Sequence, residues 1–238
     1  MFDYPFFAYN QDFVLFGNQH ILVMGLMVVL CIILPLAARS WGYSRKLTVS
    51  RIIAVSLAVS AIAYPVIRAL LGDFDKTTDL PLDLCNISAF LMPIIMWTPK
   101  KKYHGVLYFL VLAGTLQAVL TPHLYNGWPN FTFIKYWVIH AGLIVYVVYI
   151  TVAFKFYPDW KSLIKAFVAL QVYAIILYGI NSLLESNYFY IMEKPPTGSA
   201  LDYLGPWPWY ILVCEGLVLV LFAIVLFPVR LFVGKQKA

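Results

Sequence analysis

The sequence predicts an all-α fold, a polytopic membrane bundle of seven transmembrane helices with the N-terminus outside and the C-terminus cytoplasmic. Three observations predict it. Of 238 residues, 62% are hydrophobic and only 12% charged, and mean hydropathy is +0.81. A water-soluble domain carries about twice that share of charge, so a soluble enzyme, a disordered regulator and a disulfide scaffold are all excluded, the last also by a count of only 3 cysteines. Seven stretches approach the ~20 apolar residues that a helix needs to cross ~30 Å of hydrocarbon. Finally, the basic residues alternate from loop to loop, as an odd number of crossings requires.

In chain order the predicted spans are Ile21–Ala38, Leu47–Leu71, Leu82–Thr98, Gly105–Thr121, Thr132–Phe154, Ser162–Leu184 and Trp209–Pro228. Residues 21–228 thus form one bundle, preceded by an outer segment and followed by a basic cytoplasmic tail over 229–238. The segment 1–20 lacks the basic start of a signal peptide. Its Phe2, Tyr4, Phe6, Phe7, Tyr9, Phe13 and Phe16 read as an aromatic stretch lying on the outer interface. Pro65 and Pro93 read as kinks, tolerated within membrane helices. The longest loop, Glu185–Pro208, carries turn chemistry at Lys194-Pro195-Pro196-Thr197-Gly198. No internal repeat is visible, which disfavours a transporter architecture.

Orientation follows from Lys and Arg. Arg39, Arg45, Lys46 and Arg51 flank the first turn between spans, Lys100, Lys101 and Lys102 the next on that side, Lys155, Lys161 and Lys165 the third, and Arg230, Lys235 and Lys237 the tail. The other side holds only Arg68, Lys76, Lys135 and Lys194. The net charge of +6 is therefore a cytoplasmic rim facing anionic headgroups. Membrane lipids are the implied partner, and nucleic acid is not.

In so apolar a bundle each polar side chain within a span is costly unless partnered or facing a cavity. At ~1.5 Å per residue, Arg68, Cys85, Asn86, Gln117 and Asn181 lie roughly 4–6 Å below the outer edge, Glu215 roughly 9 Å and His140 roughly 12 Å; His123 sits at a span edge. Only Gln171 is near the middle. These groups predict a polar cavity open to the outer leaflet, with apolar cytoplasmic halves and no polar path across the bilayer. Gly114, Gln117 and Thr121 share one helical stripe, and Gln171, Tyr178, Asn181 and Glu185 another.

A thiolate nucleophile needs a base within hydrogen-bond reach. Cys31 and Cys214 read as packing residues, His20 and His104 as interface residues. His140 lies well inside a span, where an imidazole requires a partner and suits a general base; Cys85 lies near the level of lipid ester carbonyls. Asn86 or Gln117 would donate to an oxyanion, Asn181 or Glu215 would orient the imidazole, and Arg68 is a candidate phosphate binder, its competing role being a salt bridge to Asp73 or Asp75. No two candidate ligands have metal spacing on one helix, so the sequence implies no metal and no cofactor.

The motifs Leu80-Pro81-Leu82-Asp83-Leu84-Cys85-Asn86, Leu112-Ala113-Gly114-Thr115-Leu116-Gln117-Ala118 and His140-Ala141-Gly142 resemble those of the YwaF-like bacterial integral membrane proteins. So do Asn187-Tyr188-Phe189 and Leu204-Gly205-Pro206-Trp207-Pro208-Trp209-Tyr210. That group is similar to the eukaryotic transmembrane-protein-164 type, which moves acyl chains between phospholipids through a Cys and a His. The resemblance implies that Cys85 is the nucleophile and His140 its histidine, that the substrate is a phospholipid or lysophospholipid, and that a bacterial member sits in the plasma membrane. Asp83 departs from the pattern, since a carboxylate two residues before Cys85 disfavours a thiolate. The predicted function is a membrane-embedded lipid acyltransferase or hydrolase. The alternative is a non-catalytic transporter or ligand-binding protein using the same cavity.

Overall fold

The computed structural model describes residues 12–195 and 200–235. The expected interfacial aromatics from Phe2 to Tyr9, and the residues from Pro196 to Gly198 of the long loop, lie outside that range. The described chain is helical: α1 (Asn18–Ala37), α2 (Tyr43–Leu70), α3 (Leu84–Trp97), α4 (Lys101–Leu120), α5 (Phe131–Ala153), α6 (Trp160–Leu184) and α7 (Trp209–Lys235), with short 3-10 turns between some of them. The described residues contain no strand, only an isolated bridge between Asp12 and Asn126.

Six of these helices are long and apolar enough to cross a membrane. The exception is α3, whose 14 residues reach only ~21 Å, short of the hydrocarbon thickness. The sequence reading of a full span over Leu82–Thr98 is trimmed at both ends, because Asp83 takes the position before the first helical turn and Thr98 has left helical geometry. Pro35, Pro65, Pro93 and Pro228 all lie inside helices; neighbouring helices re-satisfy the freed carbonyls in such settings.

The bundle is built around α4 and α5. In each, 61% of the most apolar window is buried, against 17–22% in the other four long helices. The outer helices instead present Ile, Leu and Val to the surroundings, as Ile32, Ile52, Ile175 and Ile224 do. Lipid tails are as apolar as these side chains, so helix association in a bilayer relies on close packing and polar contacts. Small residues supply the closeness: Ala54 and Ala61 of α2 and Ala89 of α3 are wholly buried. At Gly142 of α5 a Cβ would sit 2.6 Å from Leu57 Cδ2 of α2, so a side chain there would push the two helices apart.

Polar contacts order the ends. Asn130 accepts from the backbone N–H of Thr132 to start α5, and Asp159 from that of Ser162 to start α6. α6 stops at Glu185, whose φ of 56° is left-handed. His20 is fully buried, not interfacial as the sequence suggested: its Nδ1 accepts from the Phe16 N–H at 3.0 Å, so Nε2–H donates to the Val119 carbonyl at 2.8 Å. His104 is also buried, with Nε2 3.0 Å from Thr151 Oγ1. Both sit against the central helices, which hydropathy and flanking charge do not reveal.

Candidate functional site

A cavity of about 300 Å³ opens at the end of the bundle where α2 stops and α3 and α5 begin. Tyr64 comes from α2, Asp83, Cys85 and Asn86 from the start of α3, His123 and Leu124 from the α4–α5 loop, and Thr132, Lys135, Tyr136, Ile139 and His140 from α5. Four of the sequence candidates, Cys85, Asn86, His123 and His140, therefore share one space.

Cys85 is the second residue of α3. Asp83 precedes the first turn, but its side chain makes no capping bond to the helix; its carboxylate instead takes a hydrogen bond from Asn86 Nδ2 at 3.4 Å. The backbone N–H groups of Cys85 and Asn86 belong to the first turn, where no intrahelical acceptor exists. They make no hydrogen bond among the described residues. The sulfur has one polar neighbour, Thr115 Oγ1 of α4, at 3.6 Å. Thr115 is fully buried and the sequence reading did not single it out, although it lies inside the motif around Gly114. The missing signal is rotational: the stripe through Gly114, Gln117 and Thr121 passes beside Thr115, which the structure turns to Cys85 of α3.

His140 is held by Tyr136, one turn earlier. The Tyr136 carbonyl lies 2.7 Å from His140 Nδ1. A carbonyl only accepts, so Nδ1 carries the proton and the neutral ring keeps its lone pair on Nε2. The Tyr136 ring stacks on the imidazole with centroids 4.0 Å apart and planes at 27°. Its hydroxyl donates to the Ala118 carbonyl at 2.7 Å, which ties α5 to the end of α4. His123 is exposed at the cavity mouth, with Nε2 2.8 Å from the Tyr125 hydroxyl.

The other candidates are elsewhere. Gln117 faces outward and donates to the Ala113 carbonyl of its own helix at 3.3 Å; a long amide can satisfy itself against its own backbone. Asn181 is buried, but its amide serves the turn after α6: Oδ1 accepts from the Ser186 hydroxyl and the Tyr188 N–H, and Nδ2 donates to the Tyr188 carbonyl, each at 2.9 Å. Glu215 of α7 accepts from Gln171 Nε2 of α6. Neither orients His140. Arg68 is engaged by Asp79, with Nε donating to the carboxylate at 3.0 Å, rather than by Asp73 or Asp75.

The turn after α6 still bears on the site at one remove. The Tyr188 hydroxyl accepts from the Leu80 N–H and donates to the Lys76 carbonyl, each at 2.9 Å, and Tyr173 of α6 donates to the Leu82 carbonyl. These bonds clamp the bend Leu80-Pro81-Leu82, in which the Leu82 N–H donates to the Leu80 carbonyl at 2.8 Å, just before Cys85. All three cysteines are free thiols, and among the described residues no three His, Cys, Asp or Glu side chains gather as metal ligands.

A bundle of apolar helices of membrane-crossing length, with a polar cavity at one end, defines the class: this is an integral membrane protein. The sequence model of the TMEM164 family, which matches residues 15–226, places it further, and the chain belongs to that family. No curated protein and no solved structure shows significant similarity to it.

Proposed function

We propose that the protein is a thiol-dependent lipid acyltransferase or hydrolase, in which Cys85 and His140 work on an ester lipid drawn from the outer leaflet. The observation that carries this reading is the shared cavity. A thiol at a helix N-terminus and an imidazole whose free lone pair is on Nε2 border the same 300 Å³.

In the reaction His140 Nε2 takes the Cys85 proton. The sulfur attacks the ester carbonyl, an S–C bond forms, and the C–O bond to the glycerol oxygen breaks. The leaving oxygen recovers the proton from His140. A lysophospholipid hydroxyl or water then attacks the thioester, giving its proton to His140, and the C–S bond breaks as His140 passes that proton to the sulfur, restoring the thiol and the neutral imidazole. The start of α3 suits the first step twice over. A helix N-terminus favours thiolate, against the opposing carboxylate of Asp83 on the same cavity wall, and the unpaired N–H groups of Cys85 and Asn86 are donors for an oxyanion. Asn86 has a second amide proton to add, which gives it the role that Gln117 is turned away from.

This reading takes α3 as a short seventh crossing, since the basic residues around Arg45 and Lys101 and those around Arg230 then share the cytoplasmic side. The cavity end, the N-terminal side and the acidic residues Asp73, Asp75 and Asp79 then lie outside. Membership of the YwaF-like bacterial branch, with residence in the plasma membrane, and a single bundle over residues 21–228 belong to the same proposal.

An acyl-chain chloroacetamide tests it. The wild type should be alkylated at Cys85 in preference to Cys31 and Cys214, and His140→Ala should lose most of that labelling. Labelling of Cys85 that is indifferent to His140→Ala would favour a non-catalytic ligand-binding protein.

A further inference from the structure

We propose that Lys135, held over the ring of Tyr64, is the phosphate-binding residue of this cavity and selects ester lipids that carry a phosphodiester over neutral glycerides. The inference rests on the reading of the cavity as a lipid-ester site and names a residue for which that reading has no role.

Among the residues lining the cavity, Lys135 is the one lysine or arginine. Arg68 is spent on Asp79, which also accepts the Asp75 N–H at 2.8 Å. Lys135 makes no salt bridge among the described residues, although Asp83 on the same cavity wall interacts with it electrostatically without direct contact. Its Nζ lies 4.5 Å from the centroid of the Tyr64 ring. A ring face steadies an ammonium through its quadrupole but takes up none of its three N–H donors in a strong bond. Because Asp83 makes no direct contact, the half-buried ammonium keeps N–H donors that a phosphate entering the cavity can take up in charge-assisted bonds.

The order along α5 then matches the order within a phospholipid. Lys135 is in the second turn, nearer the start of the helix, and His140 is five residues further, ~7.5 Å deeper along the axis. A glycerophospholipid presents its phosphate at the headgroup level and its ester carbonyls a glycerol's breadth deeper. With the phosphate on Lys135, an ester carbonyl falls deeper in the cavity that Cys85 and His140 both line. A diacylglycerol has the same esters and nothing for Lys135.

The test uses the full chain in neutral maltoside micelles. The two probes are a phosphatidylglycerol with a fluorescent acyl chain, whose headgroup adds no charge beyond the phosphate, and the diacylglycerol of the same chains. Acyl release should prefer the phospholipid. Charge-assisted hydrogen bonds are strong enough that Lys135→Met should lower the phospholipid-to-diacylglycerol ratio by about tenfold or more, and Lys135→Arg should restore it. An unchanged ratio, or a ratio lowered equally by Met and by Arg, overturns the subsite.

Binding of the phosphatidylglycerol probe to the Cys85→Ala protein, followed by anisotropy, separates the two proposals. Binding that depends on Lys135, with no acyl release by the wild type, keeps the subsite and sinks the chemistry. Acyl release with binding indifferent to Lys135 does the reverse.

Discussion

His20 is wholly buried and His140 half-buried within apolar helices, and both bond a backbone carbonyl. His20 spends its two nitrogens, one on Phe16 and one on Val119, and pins the start of α1 to the end of α4. His140 spends only Nδ1, on Tyr136, and its ring borders open space beside Cys85. The same side chain is therefore a structural bracket where it is wholly buried and a candidate base where part of its ring borders a cavity. Burial of a polar group marks cost; what the second polar atom faces decides whether the cost supports the fold or the chemistry.

The largest effects should come from exchanging the two. His140→Ala should lower acyl transfer or release by roughly 10²–10⁴-fold, while the melting temperature in detergent moves little, because the Tyr136 carbonyl keeps its helical bond. His20→Ala should do the opposite, with melting lowered as the Val119 carbonyl and Phe16 N–H lose their buried partner and activity per folded molecule retained. A His20 variant that melts normally yet is inactive would break the distinction.

Two asparagines repeat the comparison at smaller scale. Asn86 lines the cavity, whereas Asn181 is consumed by the turn Glu185–Tyr188. Asn181→Leu strands the Tyr188 N–H and carbonyl in a buried turn and should cost about 1–3 kcal/mol per unsatisfied group, read as lower melting. Asn86→Ala should instead lower the rate of thioester formation, read in single-turnover labelling, because its loss removes an oxyanion donor.

These pairs also explain what the sequence could and could not show. Span positions came through well: Ile21–Ala38 became α1 at Asn18–Ala37, and Trp209–Pro228 became the N-terminal part of α7. Depth follows from counting residues along a helix; it set Cys85, Asn86, His123 and His140 at different levels of one end of the bundle, and they line one cavity there. Depth leaves the rotation of each helix undetermined. The sequence reading put Gln117, Asn181 and Glu215 in the same half of the bundle as Cys85, yet they point to their own backbone, to a following turn and to Gln171. Conversely, Lys135 was counted as a flanking charge, because it lies only a turn inside the predicted span. Thr115 was missed because a threonine in an apolar run carries no cost signal of its own.

The smallest expected effect lies at the far end of the bundle, away from the cavity, and sharpens the contrast by what it leaves alone. Asp159 precedes α6 and accepts from both the N–H and the hydroxyl of Ser162, each at 2.8 Å. Partial burial raises its carboxyl pKa, but the two Ser162 bonds and the nearby Lys101 and Lys161 outweigh it and hold the carboxyl below its ordinary value. A carboxyl lowered on folding stabilises the fold above its unfolded pKa, and that contribution is lost as pH falls through the folded value. Asp159→Ala should therefore cost about 1 kcal/mol near neutral pH, the usual worth of such a cap. The gap in melting temperature between variant and wild type should narrow below about pH 4, with acyl transfer at neutral pH unchanged. A gap that persists undiminished into acid would mean that the side chain acts by packing and not by its charge.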